Sequence, residues 1–214
     1  MGPANLRRKA ASIRLLQARN IPTIDHLPPL DPDEDLGTRP VLDVFHRMRG
    51  NFLYFMRGNF ALHDVPFAEF RERLDRLQAW DHLSPNERRV VDSPTPTEQQ
   101  IIQTSWALEA VFALQWSLGL VSDLPWPTSL CDMQDTVDIM KATTTCDNLT
   151  LRPLSDLLDQ MDVHYRLHWA CRESMLHGED PPGELNESVI LERRRALEWL
   201  VYPDRPWDDV DLST

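Results

Sequence analysis

Apolar positions recur three and four residues apart along most of the chain, and no stretch sustains the two-residue alternation of a half-buried strand. Prolines mark the breaks. There are 17 of them against only seven glycines, and a proline interrupts a helix interior but suits its first turn. The proline-free windows 41–65, 67–84, 97–124, 128–152, 154–180 and 183–202 are each long enough for a helix of three or more turns. Asn-Gly and Asp-Gly hairpin signals are absent. The pattern predicts an all-α protein, a single globular multi-helix domain over residues 1–214. It begins with a helix at 5–19, continues through an extended connection at 20–40 that holds five prolines, and ends in an acidic tail at 203–214.

Two helix starts carry local signatures. Ser84-Pro85-Asn86-Glu87 and Thr95-Pro96-Thr97-Glu98 each read as a capping box with proline at the first helical position. In such a box the hydroxyl accepts from an orphan backbone N–H and the glutamate reaches back to the cap's own N–H. The second start opens a helix over about 96–118, with Gly119 available for a left-handed stop. That helix is apolar nearly all round, which marks it as central and buried. Ile102, Trp106, Glu109, Ala113 and Trp116 follow a 4-3-4-3 spacing, so Glu109 sits inside an aromatic stripe. A carboxylate there must find a partner or stay protonated. It is expected to be buried and paired with Arg166, Arg193 or His168. Its role is then either a general acid, base or metal ligand, or a structural ion pair.

A helix from Pro153 to before Gly178 carries the densest polar run. His164, His168 and Cys171 fall at i, i+4 and i+7 on one face, a spacing that suits a soft metal such as zinc. No second ligand motif accompanies them, and two histidines one turn apart are commonly packing residues, so the metal candidate is weak. Asp162 and Arg166 read as an ordinary i, i+4 pair. On the last helix, about 186–201, Glu192 shares a face with Val189, Ala196 and Trp199, and Arg193 shares the next with Ile190, Leu197 and Leu200. Glu109, Arg166, His168, Glu192 and Arg193 are thus the candidate cluster, expected to form one interhelical network.

Charge changes the picture further. The net charge is −12, yet residues 1–19 carry five basic residues and no acid, so the remainder stands at −17. Such a body repels nucleic acid and anionic membranes and attracts basic partners; acidity that serves solubility alone is the plainer alternative. The most apolar stretch, 101–120, is broken by Gln103, Glu109 and Gln115, so no membrane span is expected. Cys131, Cys146 and Cys171 are odd in number and lack knuckle spacing, and no secretory signal opens the chain; reduced thiols in a cytoplasmic protein are expected. Phosphate-binding glycine loops, nucleophile elbows, His-Glu-x-x-His and dinucleotide fingerprints are missing, and no cofactor is implied.

Several short blocks fall in one order: Trp106-Ala-Leu-Glu109, Leu114-Gln-Trp116-Ser-Leu-Gly119, Cys131-Asp132, Tyr165-Arg-Leu-His168-Trp-Ala170, Glu192-Arg193, Ala196-Leu-Glu-Trp199-Leu200 and Trp207-Asp208, with Ile21-Pro22 and Leu27-Pro28 upstream. In this order and spacing the chain resembles the bacterial domain-of-unknown-function 4272 family over residues 7–211. The resemblance implies a bacterial, cytosolic, helical protein with no established activity. It also implies departures: the family usually has an aliphatic residue at His164 and a serine cap where Arg152-Pro153 stands. Two functions are therefore expected in competition. One is a non-catalytic binding protein, for instance an acidic immunity or antitoxin-like partner of a basic toxin. The other is a hydrolase-type enzyme that uses the buried Glu/Arg/His cluster.

Overall fold

Each long proline-free window holds one helix. The computed structural model describes residues 3–214, the side chains of residues 75 and 76 excepted. Among the described residues there are eight α-helices and no strand: α1 Ala4–Gln17, α2 Val41–Leu62, α3 Phe67–Leu77, α4 Pro85–Val91, α5 Glu98–Ser117, α6 Met133–Ala142, α7 Leu154–Leu176 and α8 Glu187–Val201. Prolines set the starts: Pro3, Pro40, Pro66 and Pro153 stand immediately before α1, α2, α3 and α7 with extended backbone. Gly119 and Gly178 take positive φ after α5 and α7, where a left-handed residue ends a helix. The connection over 20–40 is largely extended, with short turns at Asp25–His26 and Asp33–Asp35.

The Ser84–Glu87 capping box forms as expected. The second does not. The cap of α5 is Thr97, whose hydroxyl accepts from the Gln100 N–H at 3.2 Å while the Gln100 side chain accepts from the Thr97 N–H at 2.8 Å. Pro96 thus stands immediately before the cap, outside the helix.

Helix α5 packs against α2 on one side and α8 on another, α7 packs on α8, and α1 packs on α7. The main core joins Val44 and Met48 of α2, Val111 and Leu114 of α5, Leu157 of α7 and Leu200 of α8. A smaller one joins Leu16 and Ile21 to Leu167, Cys171 and Ile190, and a third places Phe70 and Leu74 of α3 under Leu53 of α2. The central position of α5 holds from Ala107 to Ser117. Its first turns do not share it, and Ile102 is 53 % exposed. Thr104 carries the contact there. It lies about 200° around the helix from Ile102, so the two cannot both face inward.

The basic helix α1 is tied down by its own charges. Arg8 is buried and donates to Asp33 and Asp159, both at 2.8 Å, and the Asp33 carboxyl is held below its usual range chiefly by that bond. Asn5 donates to the Leu30 carbonyl at 2.9 Å.

The repeated Arg-Gly-Asn-Phe at 49–52 and 57–60 falls within α2, and its two glycines meet different neighbours, as the offset of eight residues predicts. A Cβ at Gly50 would lie 2.5 Å from the His82 carbonyl oxygen, and one at Gly58 would lie 1.5 Å from Thr104 Oγ1. The second glycine lets α2 and α5 approach closely. Next to it, the buried guanidinium of Arg57 donates to the carbonyls of Ser93 and Pro94, in the connection between α4 and α5, and lies 5.0 Å over the Phe67 ring.

Gly58→Ala should therefore destabilise the fold by about 1–3 kcal/mol, the usual cost of overpacking. Urea unfolding should show a lower midpoint with unchanged slope, and Thr104→Gly in the same chain should restore part of the loss.

Candidate functional site

Glu109 is 1 % exposed and Arg193 is fully buried. Arg193 Nε donates to Glu109 Oε2 at 2.9 Å, across the contact between α5 and α8. The other carboxylate oxygen accepts from the Cys131 N–H at 2.6 Å, and Arg193 Nη1 donates to the Pro125 carbonyl at 2.7 Å. The pair therefore fixes two helices and the connection 118–132 at once. The Cys131 thiol lies beside it, and burial together with the Glu109 charge pushes that thiol up to about 12, which makes it a poor nucleophile.

The remaining members of the expected cluster do not join this pair. Arg166 holds Asp162 through two bonds of 2.8 and 2.9 Å, and donates to the Pro28 carbonyl at 3.2 Å. Both side chains are buried, so this is not the surface pair that the i, i+4 spacing suggested. His168 meets Arg194: Nη1 donates to His168 Nδ1 at 2.8 Å, which leaves the ring proton on Nε2. Arg194 also bonds Glu198 at 3.0 Å and the carbonyls of Leu212 and Ser213 at 3.2 and 3.1 Å, so it staples the C-terminal tail to α8. Glu192 turns the other way and takes Arg195 at 3.0 Å. One network was expected; the structure shows four separate ion pairs and hydrogen bonds.

The three metal candidates also part company. His164 Nδ1 donates to the Gln160 carbonyl at 2.8 Å, and His168 is held by Arg194. Cys171 packs among Leu16, Ile21 and Ile190, where burial pushes its thiol up to about 12. Among the described residues no three histidine, cysteine or acidic groups are placed to hold a metal ion. Desolvation and the Arg193 charge hold the His164 imidazole down at about 3, and burial with Arg194 holds His168 at about 4. Both rings are neutral at pH 7.

Glu192 opens onto a cleft of about 510 Å³ between α2, α4, α5 and α8, closed at one end by the tail. Its walls include Asn51 and Tyr54 of α2, Glu87 of α4, Trp106 of α5 and Trp207 of the tail. Burial raises the Glu192 carboxyl above its ordinary range, the neighbouring Glu87 and Glu109 charges raise it further, and Arg195 opposes them. Tyr54 is pushed up to about 12 by burial and by the charges of Glu87, Glu192 and Asp208. Both shifts report one cause, a negative field in a partly dry space. Asn51 is 1 % exposed, and neither Oδ1 nor Nδ2 has a hydrogen-bond partner in the protein. Trp207 is pinned edge-on to Trp199 at 5.8 Å and lies under the Arg47 guanidinium at 4.8 Å.

Sequence reasoning found Glu192 but missed Asn51, Tyr54 and Glu87. Glu87 was visible only as a cap; its carboxylate also takes Arg47. Nothing in the spacing of α2 marks Asn51, since its burial comes from α4 and α5 folding over it.

The family described as Domain of unknown function (DUF4272) matches residues 8–210, and the chain belongs to it. No curated protein and no solved structure matches the chain.

The depressed histidines set a pH dependence. Below the unfolded value of about 6.5 the unfolded chain takes up protons that the buried rings refuse, so stability falls with falling pH. At about pH 5 the cost for His164 is about 2 kcal/mol. His164→Leu should remove about that much of the stability difference between pH 7 and pH 5, measured by urea unfolding at each pH.

Proposed function

We propose that this DUF4272 member is a non-catalytic binding protein whose cleft accepts a cationic side chain from a basic protein partner. The observation that carries this reading is Glu192: a buried carboxylate held above its ordinary range, facing a cleft that Glu87, Asp208 and two tryptophans also line. Arg195 is set against three acids lining the cleft, Glu87, Glu192 and Asp208, so an incoming lysine or arginine adds positive charge where acids outnumber it, and aromatic faces reward a desolvated cation. The unpartnered Asn51 amide gives the guest a donor and an acceptor. A net charge of −12 draws such a partner in over longer range, the behaviour of an acidic inhibitor toward a basic target. Glu109 and Arg193 lie outside this cleft, bonded to each other and to backbone, and serve the fold.

Immobilised protein should retain a stoichiometric basic partner from native lysate at low salt and release it near 1 M salt, where the screening length falls to about 3 Å. Glu192→Gln should weaken that complex at least about tenfold. The same change should leave the fold as stable or more so, because the fold disfavours the ionised form of this carboxyl. Absence of any stoichiometric partner at low salt would count against the reading.

A further inference from the structure

A second cavity of about 510 Å³ opens between α2, α3 and α6, and the binding reading above does not use it. Its walls are apolar: Phe52, Phe55, Met56 and Phe60 from α2, Met133 and Val137 from α6. Met133 is 54 % exposed, so the described chain leaves this edge of the cavity open. The charged and titratable groups among the described lining residues are His63, Arg73 and Lys141, all basic or neutral. In a chain with 34 acidic residues against 22 basic ones, an apolar cavity edged only by basic groups is a local inversion of charge.

These cations are available. Arg73 reaches Glu69 at 3.2 Å and Lys141 reaches Asp138 at 3.0 Å, and all four side chains are about half exposed or more. Pairs of that kind hold little energy and exchange partners readily. The Arg73 guanidinium already lies 5.2 Å over the Phe60 ring, at the junction of the apolar wall and the rim.

We propose that this cavity binds a single-chain anionic amphiphile, a long-chain carboxylic acid. Its tail lies along the phenylalanine and Val137 wall and its carboxylate meets Lys141 and Arg73. The lining decides between this guest and an acidic amphipathic helix: one apolar wall with two cations at its edge matches one tail and one carboxylate, whereas such a helix would bring a whole row of acids to the same two cations.

The test is calorimetric titration of the full-length protein with laurate below its micellisation concentration. One laurate binds saturably, and decanoate binds up to about fifteenfold more weakly, since each buried methylene contributes about fourfold. The double change Arg73→Gln with Lys141→Gln weakens laurate about tenfold or more and leaves dodecanol unaffected. Met133→Glu, at an exposed position, weakens laurate without lowering the melting temperature. Glu192→Gln leaves laurate binding unchanged, which keeps this test independent of the cleft. Non-saturable uptake, equal affinity for decanoate and laurate, indifference to the rim changes, or an acidic amphipathic peptide displacing laurate would each overturn the proposal.

Discussion

The buried ion pair between Glu109 and Arg193 constrains the rest of the molecule. A carboxylate and a guanidinium out of water are tolerated only when each finds nearly all its partners, because desolvation otherwise exceeds the attraction between them. Here the carboxylate takes Arg193 and the Cys131 N–H, and the guanidinium takes Glu109 through Nε and the Pro125 carbonyl through Nη1, with Nη2 buried and without a hydrogen-bond partner. A slip of α8 along α5, or a shift of the connection between α5 and α6, would leave one of these groups buried and unsatisfied. The apolar core that holds Val111, Leu114 and Leu200 supplies attraction without direction; the pair supplies the register.

That register in turn sets the cleft. Glu192 and Arg193 are consecutive, so their side chains leave α8 about 100° apart. With Arg193 committed to α5, Glu192 is carried to the space between α2, α4 and the tail. The other buried ionic groups follow the same logic at the periphery. Asp162 and Arg166 anchor the extended connection through Pro28, and Arg194 with Glu198 holds residues 212 and 213. Arg57 grips two carbonyls in the connection between α4 and α5. Each cation bonds backbone carbonyls of an irregular segment, so charge in this protein fixes loops onto helices as much as it joins helices to one another.

Much of this was legible in the sequence, for local reasons. Prolines cannot continue a helix, so Pro40, Pro66 and Pro153 mark starts without tertiary knowledge. The stripe around Glu109 predicted its burial and named Arg193 among its partners. Other features depended on how helices rotate against each other. Which acid meets which arginine turns on steps of 100° per residue, and so the expected cluster separated into pairs. His164, His168 and Cys171 do share a face of α7, but that face passes from the Gln160 carbonyl to Arg194 and then to the apolar cluster with Leu16. The cap at Thr97 rather than Thr95, and the exposed Ile102, were decided by competition between neighbouring residues of similar propensity.

A double-mutant cycle on Glu109 and Arg193 tests the account most directly. Glu109→Gln and Arg193→Met are made singly and together, and unfolding in urea is measured at pH 7. Each single change should cost about 3–5 kcal/mol, because it strands the opposite group in the interior. The double change should cost well under the sum, with a coupling of several times the ~0.5 kcal/mol expected of independent sites. Strictly additive losses, or single changes that cost no more than a surface substitution, would contradict the claim that this pair sets the register of α8 on α5.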